Sequence, residues 1–343
     1  MTTATGGKRL LQYREAINEA LSHEMERDPG MIIIGEEIAG GAGRSHMGFE
    51  DAWGGAFKTT QGLIQKFGDK RILDTPISEA GFIGAAIGAA SVGTRAVAEL
   101  MFSDFVGVCL DQISNNAAKM KYMYGGQLKM PFTLLTRIGA GTASAAQHMG
   151  SIYSIFAHLP GLKVVVPSDA YTAKGLLISA LRDDDPVIYC EHKLMYPEKS
   201  EVPEEDYTIP IGKARTVRDG SDITLVGISR MTSVCLEAAS TLSDQGVDAE
   251  VIDLLSVSPI DYDHVIESVS RTSRLVVVDE DTPRCSVATD IAAVVAEEAF
   301  DYLDAPPLRV NAPHTPVPYS KNLENIYIPD AARVVRAVQK ITD

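Results

Sequence analysis

Short apolar runs separated by stretches of helical periodicity recur along nearly the whole chain, and this alternation restricts the fold more than any other feature. Runs such as 31–34 and 187–190 are apolar at consecutive positions, which implies burial on both faces; strands of that kind separated by helices form a parallel sheet covered on both sides. The spacing predicts helix Tyr13–Arg27, stopped by Asp28-Pro29-Gly30, then strands at 31–35, 71–74, 96–101, 132–137, 162–166 and 187–190. Helices are expected between them at 60–67, 79–91, 104–123 and 171–182, with a short one following residue 147. Residues 196–210, YPEKSEVPEEDYTIP, break the rhythm: acidic, proline-bearing and aperiodic, they read as a linker. Alternation resumes with strands Ile223–Gly227, Ala249–Asp253 and Leu275–Asp279, each followed by a helix, and a last helix at 331–341. The expectation is an α/β protein of two units, residues 1–198 and a smaller 213–343, joined at 199–212.

With 31 basic against 46 acidic residues the formal charge is −15, which repels nucleic acid and anionic membranes unless a local basic patch intervenes. Lys and Arg stand singly or in pairs, as at Lys8-Arg9 and Lys70-Arg71, and no patch is expected. Cys109, Cys190, Cys235 and Cys285 form no CxxC pair and read as isolated thiols. The N-terminal MTTATGGKRLLQY lacks a secretory core, no apolar run is long enough to span a bilayer, and a cytoplasmic location is the expectation.

Several segments carry chemistry. Asp74-Thr75-Pro76-Ile77-Ser78-Glu79 joins a strand end to a helix start, where open α/β sheets bind ligands. Taken alone, Glu79 reads more readily as a first-turn acid behind a Ser78 cap than as a catalyst. Gly81, Gly84, Ala85, Gly88 and Ala89 leave one helix face almost bare, suited to close packing against either a second chain or the protein's own sheet. A glycine-rich loop runs through Gly40-Gly41, Gly43, Gly48 and Gly54-Gly55 around Trp53. Gly139-Ala140-Gly141-Thr142-Ala143-Ser144 imitates a dinucleotide loop without its third glycine, and Gln147-His148 closes it. Arg182-Asp183-Asp184-Asp185-Pro186 ends a helix with free carbonyls and carboxylates, a solvated turn or a seat for a hard or monovalent cation.

Together, DTPISEAGFIGAAIGAA, ELMFSDFVGVCLDQI, AAKMKYMYGG, AAQH, PGLKVVVPSDAYTAKGLL and RDDDPVIYCEHKLMY resemble the β subunits of thiamine-diphosphate-dependent 2-oxo acid dehydrogenases. DGSDITLVG, EVIDLLSVSPID, RLVVVDE, PRCSVATDIAA and NAPHTPVPYS extend the resemblance into a transketolase-type carboxyl-terminal domain. AGGAG with DAWGG, ELMFSDF and APHTPVP are most similar to acetoin dehydrogenase β subunits, with pyruvate or branched-chain 2-oxo acid enzymes second. The fold implied is a transketolase-type pyrimidine-binding domain plus a smaller transketolase carboxyl-terminal domain.

The resemblance implies that Glu79 bonds the aminopyrimidine nitrogen, that Phe105 packs on that ring with Gln147 nearby, and that His148 moves protons. It also implies a structural potassium ion held by Phe132, Ala180, Leu181, Asp183 and Asp185. The reaction implied is cleavage of acetoin to acetaldehyde and a hydroxyethyl–cofactor adduct, with the acetyl group passed to a lipoyl carrier. Met149-Gly150 follows His148 where many members have Ser and Gln, a departure beside the substrate. The family's GDG motif, which holds magnesium and the diphosphate, is absent from the sequence. An α subunit is therefore implied as supplier of that half in an α2β2 tetramer, and a dihydrolipoyl acyltransferase as acceptor. The rival expectations are a nicotinamide dehydrogenase built on the Gly139 loop and a non-catalytic assembly subunit.

Overall fold

The computed structural model describes residues 9–40 and 52–342; Gly41, Gly43 and Gly48 of the glycine-rich loop lie outside them. The first half runs β1 (Leu10–Gln12), α1 (Tyr13–Arg27), β2 (Ile32–Glu36), α2 (Leu63–Phe67), β3 (Ile72–Thr75), α3 (Glu79–Ser91) and β4 (Ala96–Leu100). It continues with α4 (Val106–Asp111), α5 (Met120–Met123), β5 (Phe132–Ile138), α6 (Tyr153–Ala157), β6 (Lys163–Val165), α7 (Ala170–Arg182), β7 (Val187–His192) and β8 (Lys199–Glu201). The second half holds β9 (Arg215–Arg218), β10 (Ile223–Gly227), α8 (Met231–Ser243), β11 (Ala249–Asp253), β12 (Ser256–Ser258), α9 (Tyr262–Thr272) and β13 (Leu275–Asp279). It closes with α10 (Val287–Glu298), β14 (Leu308–Asn311), α11 (Lys321–Tyr327) and α12 (Ala331–Thr342).

A seven-stranded sheet in the order β12-β6-β7-β5-β4-β2-β3 forms the first layer. It is parallel except at β12, an edge strand that the second half lends across to β6. The second sheet, β14-β13-β10-β11-β9, is parallel except at β9. The apolar runs explain the layering: β4, β5, β7, β10, β11 and β13 are buried along their whole length, as strands covered on both faces must be. One continuous core joins the halves, with Leu134 and Ile188 in the same cluster as Val226, Ile252 and Val277. Helices α1 and α7 cover the outer face of the first sheet, and α8 and α12 that of the second.

Two expectations change. The helix expected over 104–123 is interrupted: a 3-10 turn at Ser103–Phe105 precedes α4, and a π-helical turn at Gln112–Ala117 separates α4 from α5. Asn115 and Asn116 bond back to Asp111 and Gln112 at 2.7 and 3.0 Å, and the Ala118 N–H reaches the Ile113 carbonyl five residues back. One residue is thereby absorbed out of helical register. The stretch expected as an aperiodic linker gains a strand and anchors: β8 pairs with β1, and Lys174 on α7 donates to the carbonyls of Pro203, Glu204 and Glu205.

The small-residue face of α3 is open in this chain. Gly81, Ala85 and Gly88 are exposed, and a Cβ placed on Gly88 meets nothing within 4 Å. Val108, Tyr122 and Met123 are exposed on the neighbouring α4 and α5. No helix among the described residues is long and apolar enough to cross a membrane.

Candidate active site

Glu79 opens α3 beyond the carboxyl end of β3, and its side chain is 8% exposed. The expected Ser78 cap is not formed; that hydroxyl donates to the Pro76 carbonyl at 3.2 Å instead. No described residue donates a hydrogen bond to the Glu79 carboxylate. Its charge is felt by two neighbours. Burial, then Glu79, raises the Glu36 carboxyl above the usual range, and the same two causes push the Cys109 thiol up to about 12. Cys109 lies one turn after Phe105, with its thiol 3.7 Å from the Phe105 carbonyl.

The Phe105 ring leads to His148. The imidazole stands edge-to-face to Phe102 at 4.8 Å and to Phe105 at 5.5 Å, and its Nδ1 is buried without a partner. Gln147, in the same 3-10 turn, is exposed. The Cys109 thiol, which feels the Glu79 charge, thus bonds the main chain of Phe105, whose ring meets the His148 imidazole. The Lys193 ammonium donates to the His148 main-chain carbonyl and lies over the Phe102 ring at 5.1 Å. Burial pushes Lys193 down to about 8 against the attraction of Asp104, Glu280 and Glu324.

The Gly139 loop does not cradle phosphate. Its amides are taken by two carboxylates from the second half: Glu280 accepts from Ala140 at 2.6 Å, and Glu324 accepts from Gly141 at 2.6 Å and from Ala143 at 3.2 Å. Glu280 also faces His192 at 2.9 Å, and Lys321 donates to the Gly141 carbonyl. Carboxylates at those amides repel a diphosphate, which removes the nicotinamide reading. Gly141 has φ +117°, and a Cβ there would come within 2.4 Å of Leu194; Ala143 and Ala145 also adopt positive φ, so the loop needs these anchors.

Beneath the site, Arg137 is fully buried between Glu99 at 2.7 Å, Tyr196 at 3.0 Å and Glu191 at 3.6 Å. Little in the sequence signalled this network, or the parts played by Lys193, Glu280 and Glu324, because their partners are remote in the chain. The charged ending Glu191-His192-Lys193 of an otherwise apolar strand was the one available hint.

Oxygens of four of the five residues expected to hold potassium are engaged within the chain. Arg95 donates to the Leu181 and Asp183 carbonyls at 2.7 Å, and Thr133 to that of Ala180 at 3.3 Å. Lys163 pairs with Asp183 and, with Lys121, holds Asp185; Phe132 is a fully buried strand residue. Four of the five residues thus meet donors of the chain itself, Arg95, Thr133, Lys163 and Lys121, and the described residues offer no cluster of three or more His, Cys, Asp or Glu for a metal.

Two sheets, each parallel but for one edge strand, carry an acid at a strand-to-helix turn, and the family matches make this a transketolase-type protein. Residues 9–199 match the transketolase pyrimidine-binding domain and residues 212–334 the transketolase carboxyl-terminal domain. A split-gene transketolase solved as an inactive β4 tetramer superposes with a TM-score of 0.74 at 25% identity, covering 98% of each chain. Acetoin:2,6-dichlorophenolindophenol oxidoreductase β subunits are 54% identical in Cupriavidus necator (97% of each chain) and 51% identical in Bacillus subtilis (95% of this chain, 96% of the relative). A pyruvate dehydrogenase E1 β subunit from Rhizobium meliloti is 44% identical over 96% of this chain and 70% of its own. The chain belongs to the family of acetoin and pyruvate dehydrogenase β subunits, thiamine-diphosphate-dependent oxidoreductases that work with an α subunit.

Proposed function

We propose that this chain is the β half of an acetoin-cleaving dehydrogenase component acting in the cytoplasm. The observations that carry the proposal are the Glu79 carboxyl acting on the Cys109 thiol one turn from Phe105 and the Phe105 ring meeting the His148 imidazole. A carboxyl with no donor among the described residues, an aromatic face and an imidazole with an orphaned nitrogen suit a heteroaromatic ring bearing polar nitrogens and a substrate held beside it. Thiamine diphosphate, when bound, supplies the electron sink. Glu79 would hold the pyrimidine nitrogen and exchange a proton with it, Phe105 would pack on the ring, and Gln147 would border it. His148 takes the substrate hydroxyl proton, a step that acetoin cleavage needs and pyruvate decarboxylation does not. The Phe102 and Phe105 rings keep water from the imidazole.

The chain lacks a diphosphate- and magnesium-holding motif, so the α subunit supplies both. The open face of α3 suits the contact between two β chains of an α2β2 tetramer, and the second domain suits docking of a dihydrolipoyl acyltransferase. Pyruvate is the second reading, favoured by the 44% identity to a pyruvate dehydrogenase β subunit. The test is turnover with an artificial electron acceptor, using the chain and its α partner offered acetoin, pyruvate and branched-chain 2-oxo acids side by side. Acetoin is expected to give the highest kcat/KM; preference for a 2-oxo acid overturns the substrate assignment.

A further inference from the structure

The charge pattern that seemed to exclude a basic patch is misleading in three dimensions. Arg333, Arg336 and Lys340 recur at helical spacing on α12, and Arg309 projects from the adjacent strand β14. The four cations line one cleft of about 400 Å³ in a protein with a formal charge of −15, and no carboxylate is among its lining residues. Arg336 and Lys340 form no ion pair or hydrogen bond with any described residue.

The other two cations are fixed by neutral groups and form no ion pair among the described residues. Arg333 donates to the carbonyls of Asn311 and Tyr327, and Arg309 to the Pro283 carbonyl at 3.2 Å. Such contacts orient a guanidinium without neutralising it. Burial holds Arg333 below the usual guanidinium range, with Arg336 adding to that effect and Asp330 opposing it. A second observation points to a ligand. Asn311 is 8% exposed and lines the same cleft; its amide nitrogen bonds the Asp281 carbonyl, while its Oδ1 is buried without a partner. A buried acceptor beside uncompensated cations suits a group bearing both negative charge and a hydroxyl or protonated oxygen.

We propose that the cleft between β14 and α12 is a binding site for a small anion of the diphosphate class, separate from the Glu79 centre. Arg309, Arg333, Arg336 and Lys340 supply the charge, with the forked guanidinium groups matching phosphoryl oxygens. Asn311 Oδ1 accepts from the ligand's hydroxyl.

The full-length chain without its α partner is titrated calorimetrically with pyrophosphate, with ADP and with inorganic phosphate, at constant ionic strength set with sodium chloride. One saturable site per chain is expected for pyrophosphate or ADP, and weaker binding for phosphate. Tighter ADP than pyrophosphate identifies a nucleoside diphosphate as the source, and the reverse identifies free diphosphate. The double variant Arg336→Gln/Lys340→Gln removes two exposed side chains without disturbing a recorded contact and should weaken binding roughly tenfold or more. Asn311→Ala is expected to weaken ADP more than phosphate. Absence of saturation, or affinity unchanged in the double variant, overturns the site.

Discussion

The Glu324 carboxylate accepts the Gly141 N–H at 2.6 Å, so a fully buried acid on α11 holds the loop that leads to His148. The second half therefore shapes the site without contributing a side chain to its aromatic cluster. Glu324→Gln keeps the shape but removes the charge that the Gly141 and Ala143 amides and Lys321 share. We expect kcat/KM to fall by about tenfold through misplacement of the loop, with the fold retained. Steady-state kinetics beside a melting curve separates the two effects, and an unchanged kcat/KM would show that the loop holds its geometry without this carboxylate.

Glu79→Gln preserves volume at an 8% exposed position and leaves α3 intact, because the main chain of Ser78, not a side-chain cap, receives the first helical N–H groups. Turnover of the reconstituted enzyme should drop by roughly 10²-fold or more while assembly with the α subunit is unaffected. Gel filtration and turnover on the same preparation test this; near-normal turnover would leave only an assembly role.

Lys193 gives a pH dependence of known sign. Its unfolded form titrates near 10.5 and its folded form at about 8, chiefly because of burial. Below about pH 8 the ammonium is charged in both states and its burial cost is present in full. Between about 8 and 10.5 the folded protein gives up the proton first, and the cost disappears. The stability of the wild type relative to Lys193→Met should therefore rise with pH across that window, by up to about 3 kcal/mol. Denaturant unfolding of both proteins at about pH 7, 8.5 and 10 measures the difference. A difference constant with pH contradicts the assignment.

Gly88 faces open space within the chain. Gly88→Leu should leave the isolated chain folded and add about 0.8 kcal/mol of helix propensity. The same substitution should prevent two β chains from meeting across α3. Sedimentation of the reconstituted enzyme is expected to show loss of the tetramer; an intact tetramer places the β–β contact elsewhere.

The fold was largely legible because its strands are apolar on both faces, a pattern few other structures tolerate. Strands 223–227, 249–253 and 275–279 appear at the expected residues. The short strands β1, β8, β9, β12 and β14 escaped, because each lies at a sheet edge where one neighbour suffices and no apolar run is needed. The π turn at Gln112–Ala117 escaped because it depends on side-chain amides competing with the helix ladder.

The candidate site divides in the same way. Glu79, Phe105 and His148 could be named because the motifs around them carry a family resemblance; local pattern alone read Glu79 as a first-turn acid. Chain pattern by itself determined an α/β fold of two units with Glu79 at a strand-to-helix turn; a reactive role for that acid and a missing diphosphate half were implied only by the family resemblance. Only the tertiary structure decided what holds that acid's neighbours in place. Glu324 reaches Gly141 across 183 residues, Arg95 reaches the Leu181 carbonyl across 86, and Arg309 joins the basic face of α12. Such pairings depend on which surfaces packing brings together, and buried charge must be matched there by whatever partner the fold delivers.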